Sequence, residues 1–215
     1  MDNLQRILLK CKNAKGNMLL ILFKFLINKI FYNNNIFAHQ KVIIKGKRNI
    51  DVGGELDIGT SYVGFQTNSD VTLLNVRGKL SIEDKFSIGR GCRFDIGEGG
   101  IVELGDGGYI AAFSLFIITK KLKIGRNCAI SWNCQFLDND FHHIEYEGKK
   151  EKNNSIIIGD NVWIGSGVCI YKGTIVPNGC VIASNSVVRG IFNNENSIIS
   201  GNPARVIKEK VTWSK

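Results

Sequence analysis

The chain has 215 residues, 44 % of them hydrophobic and 22 % charged, the size and balance of one globular domain with at most an appendage. Its formal net charge is +9, but beyond the N-terminus Lys and Arg are scattered. The chain has no helix-turn-helix, zinc-finger or RNA-recognition pattern, which argues against a nucleic-acid partner. The six Cys include no Cys-x-x-Cys pair, and there is no secretory signal with a cleavage site. Free thiols in a reducing, cytoplasmic setting are therefore expected.

Residues 1–40 form a first, basic segment. Residues 4–32 mix Leu, Ile and Phe with Lys and Arg, which predicts a basic amphipathic helix. Lys24, Asn28 and Lys29 interrupt the apolar run, so a transmembrane span of about 20 residues is not expected. The helix has two readings, a cap over the open end of the following domain or a peripheral anchor at a membrane surface, and the cap is favoured. Asn33-Asn34-Asn35 reads as the helix stop.

From there the chain repeats. Aliphatic residues fall at Ile158, Ile164, Ile170, Val176, Ile182 and Val188, always six apart. The same period runs through Ile118, Ile124, Ile130 and Phe136, and through Ile82, Ile88 and Phe94. Gly follows at Gly89, Gly125, Gly159 and Gly165. A small or modest side chain follows four places after the aliphatic, as at Cys92, Cys128, Cys134, Val162, Val168, Thr174, Cys180 and Ser186. A helix would repeat near 3.6 and a half-buried strand at 2. Period six with Gly predicts short strands joined by turns, three to a triangular coil, with about seven coils over roughly residues 50–190. The four Cys at the small position are then buried packing residues. The domain is expected at 41–207, with 208–215 as a tail.

Between Phe136 and Ile158 the period breaks. An excursion over 137–157 carries two of the three His, and long departures from a regular scaffold often carry function. It opens Leu137-Asp138-Asn139-Asp140-Phe141-His142-His143. After it come Asn161-Val162-Trp163-Ile164-Gly165-Ser166 and, near the end, Ser200-Gly201-Asn202-Pro203-Ala204-Arg205-Val206-Ile207-Lys208.

These features together resemble the hexapeptide-repeat acyltransferases, closest to the galactoside and maltose O-acetyltransferases. The resemblance covers about residues 80–207 and is weak over 40–80, where Ile58-Gly59 is one unit. It implies a mainly β fold, a left-handed parallel β-helix, usually a homotrimer with active sites between subunits. It also implies acetyl-CoA as acyl donor and no metal. By resemblance, His142 is the general base, taking a proton from a sugar hydroxyl as it attacks the thioester, with direct transfer and no nucleophilic residue. Asp138 or Asp140 would orient the ring, and a backbone N–H would bind the oxyanion. His143 is the weaker choice of base. Trp163 maps beside the acceptor and cofactor channel, Ser166 and Ser184 to the pantetheine arm. Asn202 and Ala204 belong to the closing Gly-Asn-Pro-Ala motif, and Arg205 and Lys208 would meet the cofactor's phosphates. Trp132 has no counterpart. The stretch Arg189–Asn196 departs from the family's usual link before the closing motif, which leaves the cofactor contacts there open.

The implied function is O-acetylation of a sugar hydroxyl in surface polysaccharide (capsule or O-antigen) or a precursor. The alternatives are N-acetylation of an amino sugar on the same fold, or a non-catalytic β-solenoid. A zinc enzyme of this fold would need three converging His, which His39, His142 and His143 do not supply. Phosphate-loop and Gly-x-Ser-x-Gly motifs are missing.

Overall fold

The computed structural model describes residues 3–61, 63–67, 69–142, 145, 147 and 154–215. Two helices precede the coil where one was expected, α1 (Asn3–Asn13) and α2 (Met18–Tyr32). The break has local causes. Lys15 takes a positive φ, Gly16 lies so close to His39 that a Cβ would clash at 2.8 Å, and the Asn17 side chain caps α2 by accepting from the Leu20 amide. Asn33, in the left-handed region, ends α2 where the sequence suggested a stop.

The rest is a three-sided parallel coil. Face A has nine strands, from Ile36–Ala38 to the hairpin Ile198–Gly201/Ala204–Lys208. Face B has seven, from Val42–Lys45 to Val187–Val188, and face C has six, from Ile50–Val52 to Ile175–Val176. Within the coil all pairs are parallel, and only the closing hairpin is antiparallel. That makes six complete coils and a seventh whose third side shrinks to one bridge, Ile175 to Ile191. The first strand, at Ile36, follows the expected helix stop directly, so the coil begins a few residues before the boundary expected at residue 40.

The repeat has the predicted physical meaning. Ile158, Ile164, Ile170, Val176, Ile182 and Val188 are all buried, as are the small residues four places on. Phe94, Phe116 and Phe136 stack through three successive coils of face B at centroid spacings of 4.2 and 4.6 Å. The Gly after the aliphatic is needed because the next coil passes close: a Cβ on Gly89 would come 2.6 Å from the Ala112 amide. Burial pushes the Cys92 thiol up to about 12 and those of Cys128 and Cys134 to about 11, so they stay protonated and act as packing atoms.

One feature of the repeat escaped the sequence reading. The residue just before the small one turns the corner in the left-handed region, and it is Gly or Asn at Gly91, Asn127, Asn133, Asn161, Gly167, Gly173, Gly179 and Asn185. Phe113, at φ 63°, is a bulky residue in that slot. A second excursion, residues 59–71, was also not foreseen. It leaves the A–B corner between Glu55–Ile58 and Thr72–Val76. The buried Arg90 holds it, donating to the carbonyls of Gly59 at 3.2 Å and Thr67 at 3.3 Å, and to Ala14 of the interhelical turn at 2.6 Å.

Candidate functional site

The excursion after Leu137 leaves at the B–C corner, between face-B strand Gln135–Leu137 and face-C strand Ile156–Ile158. Its foot is fixed by its two aspartates. Asp138 is fully buried, and its carboxylate accepts from the amides of Thr119 (2.8 Å), Lys120 (2.7 Å) and Lys121 (3.0 Å) and from the Thr119 hydroxyl (3.1 Å). Asp140 pairs with Lys172 of the following coil at 2.8 Å. Between them Asn139 donates to Thr119 Oγ1 and accepts from the Phe141 amide, bending the chain so that Phe141 takes a φ of 59°. The loop is thus pinned to the coil before it and the coil after it, and His142 stands exposed just above.

This geometry changes the part expected of the aspartates. Among the described residues neither carboxylate hydrogen-bonds the His142 imidazole: Asp138 is spent on backbone amides and Asp140 on Lys172. Both tie the loop to the coil. His143 lies outside the described residues.

The residues assigned to the cofactor are on other sides of the prism. Trp163 projects from face A, 42 % exposed, its indole Nε1 donating to Ser131 Oγ at 3.4 Å. Ser166 and Ser184 occupy the A–B corner in successive coils, hydroxyl to hydroxyl at 3.4 Å. A Cβ on Gly165 would meet the Ser184 amide at 2.7 Å, so that corner requires glycine. Asn202 lies in the turn of the closing hairpin, where Gly201 pairs with Ala204. The Ala204 side chain is in the core. Arg205 and Lys208 are exposed on the last strand, and Arg205 donates to the Ala204 carbonyl.

Two groups were missed. The tail doubles back along the C–A corner: Val211 bonds Asn196, the Trp213 indole donates to the Asn161 carbonyl at 2.8 Å, and Lys215 reaches Gly107. This sets the Trp213 ring 6.1 Å from Trp163. At the A–B corner Phe65 packs on Phe113 and on Trp132, both at 5.9 Å, making an aromatic wall in the column that continues to Ser166 and Ser184. The sequence held one signal for this wall, a Phe where the repeat puts Gly or Asn. Among the described residues no group of three or more His, Cys, Asp or Glu could hold a metal ion.

The sequence matches known proteins over most of its length. The family model of the bacterial transferase hexapeptide (six repeats) matches residues 155–190. A 24.8 kDa protein of the cps region in Klebsiella pneumoniae is 37 % identical over 206 residues, 95 % of this chain and 92 % of that one. A protein named as a lipopolysaccharide biosynthesis O-acetyl transferase, WbbJ of Escherichia coli K12, is 29 % identical over 64 % of this chain and 78 % of its own. Among solved structures, the hexapeptide-repeat acetyltransferase VCA0836 of Vibrio cholerae is 25 % identical over 58 % of this chain and 70 % of its own, with a TM-score of 0.48.

Proposed function

Because this chain belongs to the hexapeptide-repeat transferase family, acyltransferases built on a left-handed β-helix, we propose that it transfers an acetyl group from acetyl-CoA to a sugar hydroxyl of a surface glycan or its precursor. The observation that carries the reading is the loop foot, where Asp138 and Asp140 anchor an otherwise exposed His142 to two coils. The name of the Escherichia coli relative supports O-acetylation of a glycan.

In this reading His142 takes the proton of the acceptor hydroxyl while its oxygen attacks the thioester carbonyl. The C–S bond breaks, the imidazolium returns the proton to the leaving sulfur, coenzyme A departs as the free thiol, and no acyl-enzyme forms. Trp163, Ser166 and Ser184 line the channel for the thioester arm, and Arg205 and Lys208 meet its phosphates. On one chain these groups and His142 lie on different sides of the prism, which supports a homotrimer whose sites close between neighbouring copies. The cytoplasm, where acetyl-CoA is made, is the expected location.

The test is release of free thiol from acetyl-CoA over a panel of mono- and oligosaccharides. His142→Ala should lower turnover by about two to four orders of magnitude, the worth of a general base. Mixing that variant with Trp163→Ala under conditions that exchange subunits should restore part of the activity. Acceptor-dependent release that survives in His142→Ala sinks the assignment of the base. A mixture no more active than its components sinks the shared site.

A further inference from the structure

Helix α2 has two apolar faces, and the coil uses only one. Ile21 and Asn28 are buried, Phe25 stacks on Phe37 at 4.2 Å, and the Lys24 ammonium donates to the carbonyls of Gln40 and Val42 at the open edge of the first coil. That side caps the solenoid. The opposite side carries Leu19, Leu20, Phe23, Leu26, Ile30 and Phe31, each between 49 % and 75 % exposed. Their spacing makes one continuous stripe along a helix about 22 Å long, uninterrupted by charge. A helix apolar all round is ordinarily covered on both sides.

The charge distribution says by what. Residues 1–50 contain ten Lys and Arg against one acidic residue, a net +9, and the other 165 residues contain 18 of each sign. The whole net charge of the chain is therefore gathered at this end. Lys12, Lys15, Lys29, Lys41, Lys45 and Arg48 are exposed around the helix. A second copy would bring the same positive charge to the same face, which like-charge repulsion opposes. An anionic lipid surface supplies both an apolar layer for the stripe and negative headgroups for the cations. The helix is too short to span a bilayer, and no helix among the described residues is long and apolar enough to do so.

We propose that the outer face of α2 docks this protein on an anionic membrane surface, so that cap and anchor are two faces of one helix. The proposal does not depend on the acetyl-transfer reading.

The test is cosedimentation of the full chain with vesicles of phosphatidylcholine containing about 30 % phosphatidylglycerol, against phosphatidylcholine alone. The protein should pellet with the anionic vesicles. Binding should fall about tenfold or more without the anionic lipid or at roughly 0.5 M salt. The double variant Phe23→Glu/Ile30→Glu should lose about tenfold or more of the binding. Because both residues are exposed, its circular dichroism and sedimentation coefficient should match wild type. Wild type left in the supernatant with anionic vesicles overturns the proposal. So does a double variant that falls apart into smaller species, since the stripe would then be a contact between copies.

Discussion

Among the described residues the chain leaves its coil at two corners, and the two departures are held by opposite charges. At the A–B corner the buried Arg90 sits in the coil and gathers carbonyls from the loop above it, at Gly59 and Thr67. At the B–C corner the buried Asp138 sits in the loop and grips three successive amides of the coil below. The first loop is tied along its length and adds the Phe65 ring to a wall. The second is tied at its foot by Asp138, Asn139 and Asp140 and then lets His142 stand free. The first loop builds surface, whereas the second leaves one side chain exposed above its foot.

Substitutions can separate these roles. Arg90→Met should have the largest effect on stability, a loss of about 3 kcal/mol in denaturant unfolding, because three carbonyls lose a charged donor. Its turnover per folded molecule should change little. Asp138→Asn should cost about 2 kcal/mol, since its amide turns a donor toward donors. If His142 is the base proposed above, Asp138→Asn should also lower kcat more than it raises KM, because the foot holds the loop that carries it. If Arg90→Met lost as much kcat as Asp138→Asn, the distinction between wall and foot would fail.

The same corner predicts a pH dependence. His39 is fully buried beside Arg90, and burial, then the Arg90 charge, lowers its pKa from 6.5 to about 4. The folded state resists the proton that the unfolded chain accepts. Stability from this group is whole above about 6.5 and is lost as pH falls toward 4, at up to about 1.4 kcal/mol per pH unit. His39→Asn should flatten that part of a stability–pH curve, and an unchanged slope would locate the titration elsewhere.

Phe113 offers the smallest and most specific test. Phe113→Asn restores the residue the turn prefers and should raise stability by about 0.5–1 kcal/mol. If the aromatic wall meets the acceptor, KM for the sugar should rise in the same variant. Greater stability with unaltered KM would make Phe113 a tolerated strain without a function.

The coil could be read in the sequence because period six survives in side chains that face inward, from Ile82 onward. The first coils were harder because their burial is shared with helices. Val42 and Val52 face the core, but the edge is covered by α2, whose packing leaves no mark at period six. His142 was visible as a motif, and its foot was not. Asp138 looks the same in sequence whether it faces an imidazole or three amides, and only the fold of the preceding coil decides between them. Trp213 was unreadable for a related reason: it meets Trp163 across 50 residues by a reversal no local pattern announces.

The stacked rings of Phe94, Phe116 and Phe136 carry a cost for folding. An interior that repeats itself hardly objects if a newly laid coil slides by one full turn, since ring would again meet ring and Ile meet Ile. The singular groups object. Slid by one coil, Asp138 would face the four-residue corner 97–100 instead of the two-residue corner 119–120 whose amides it grips, and Arg90 would miss its carbonyls. The buried ions at the corners act as the notches of a ratchet, and a version of this chain without them should stack as readily but in more than one alignment.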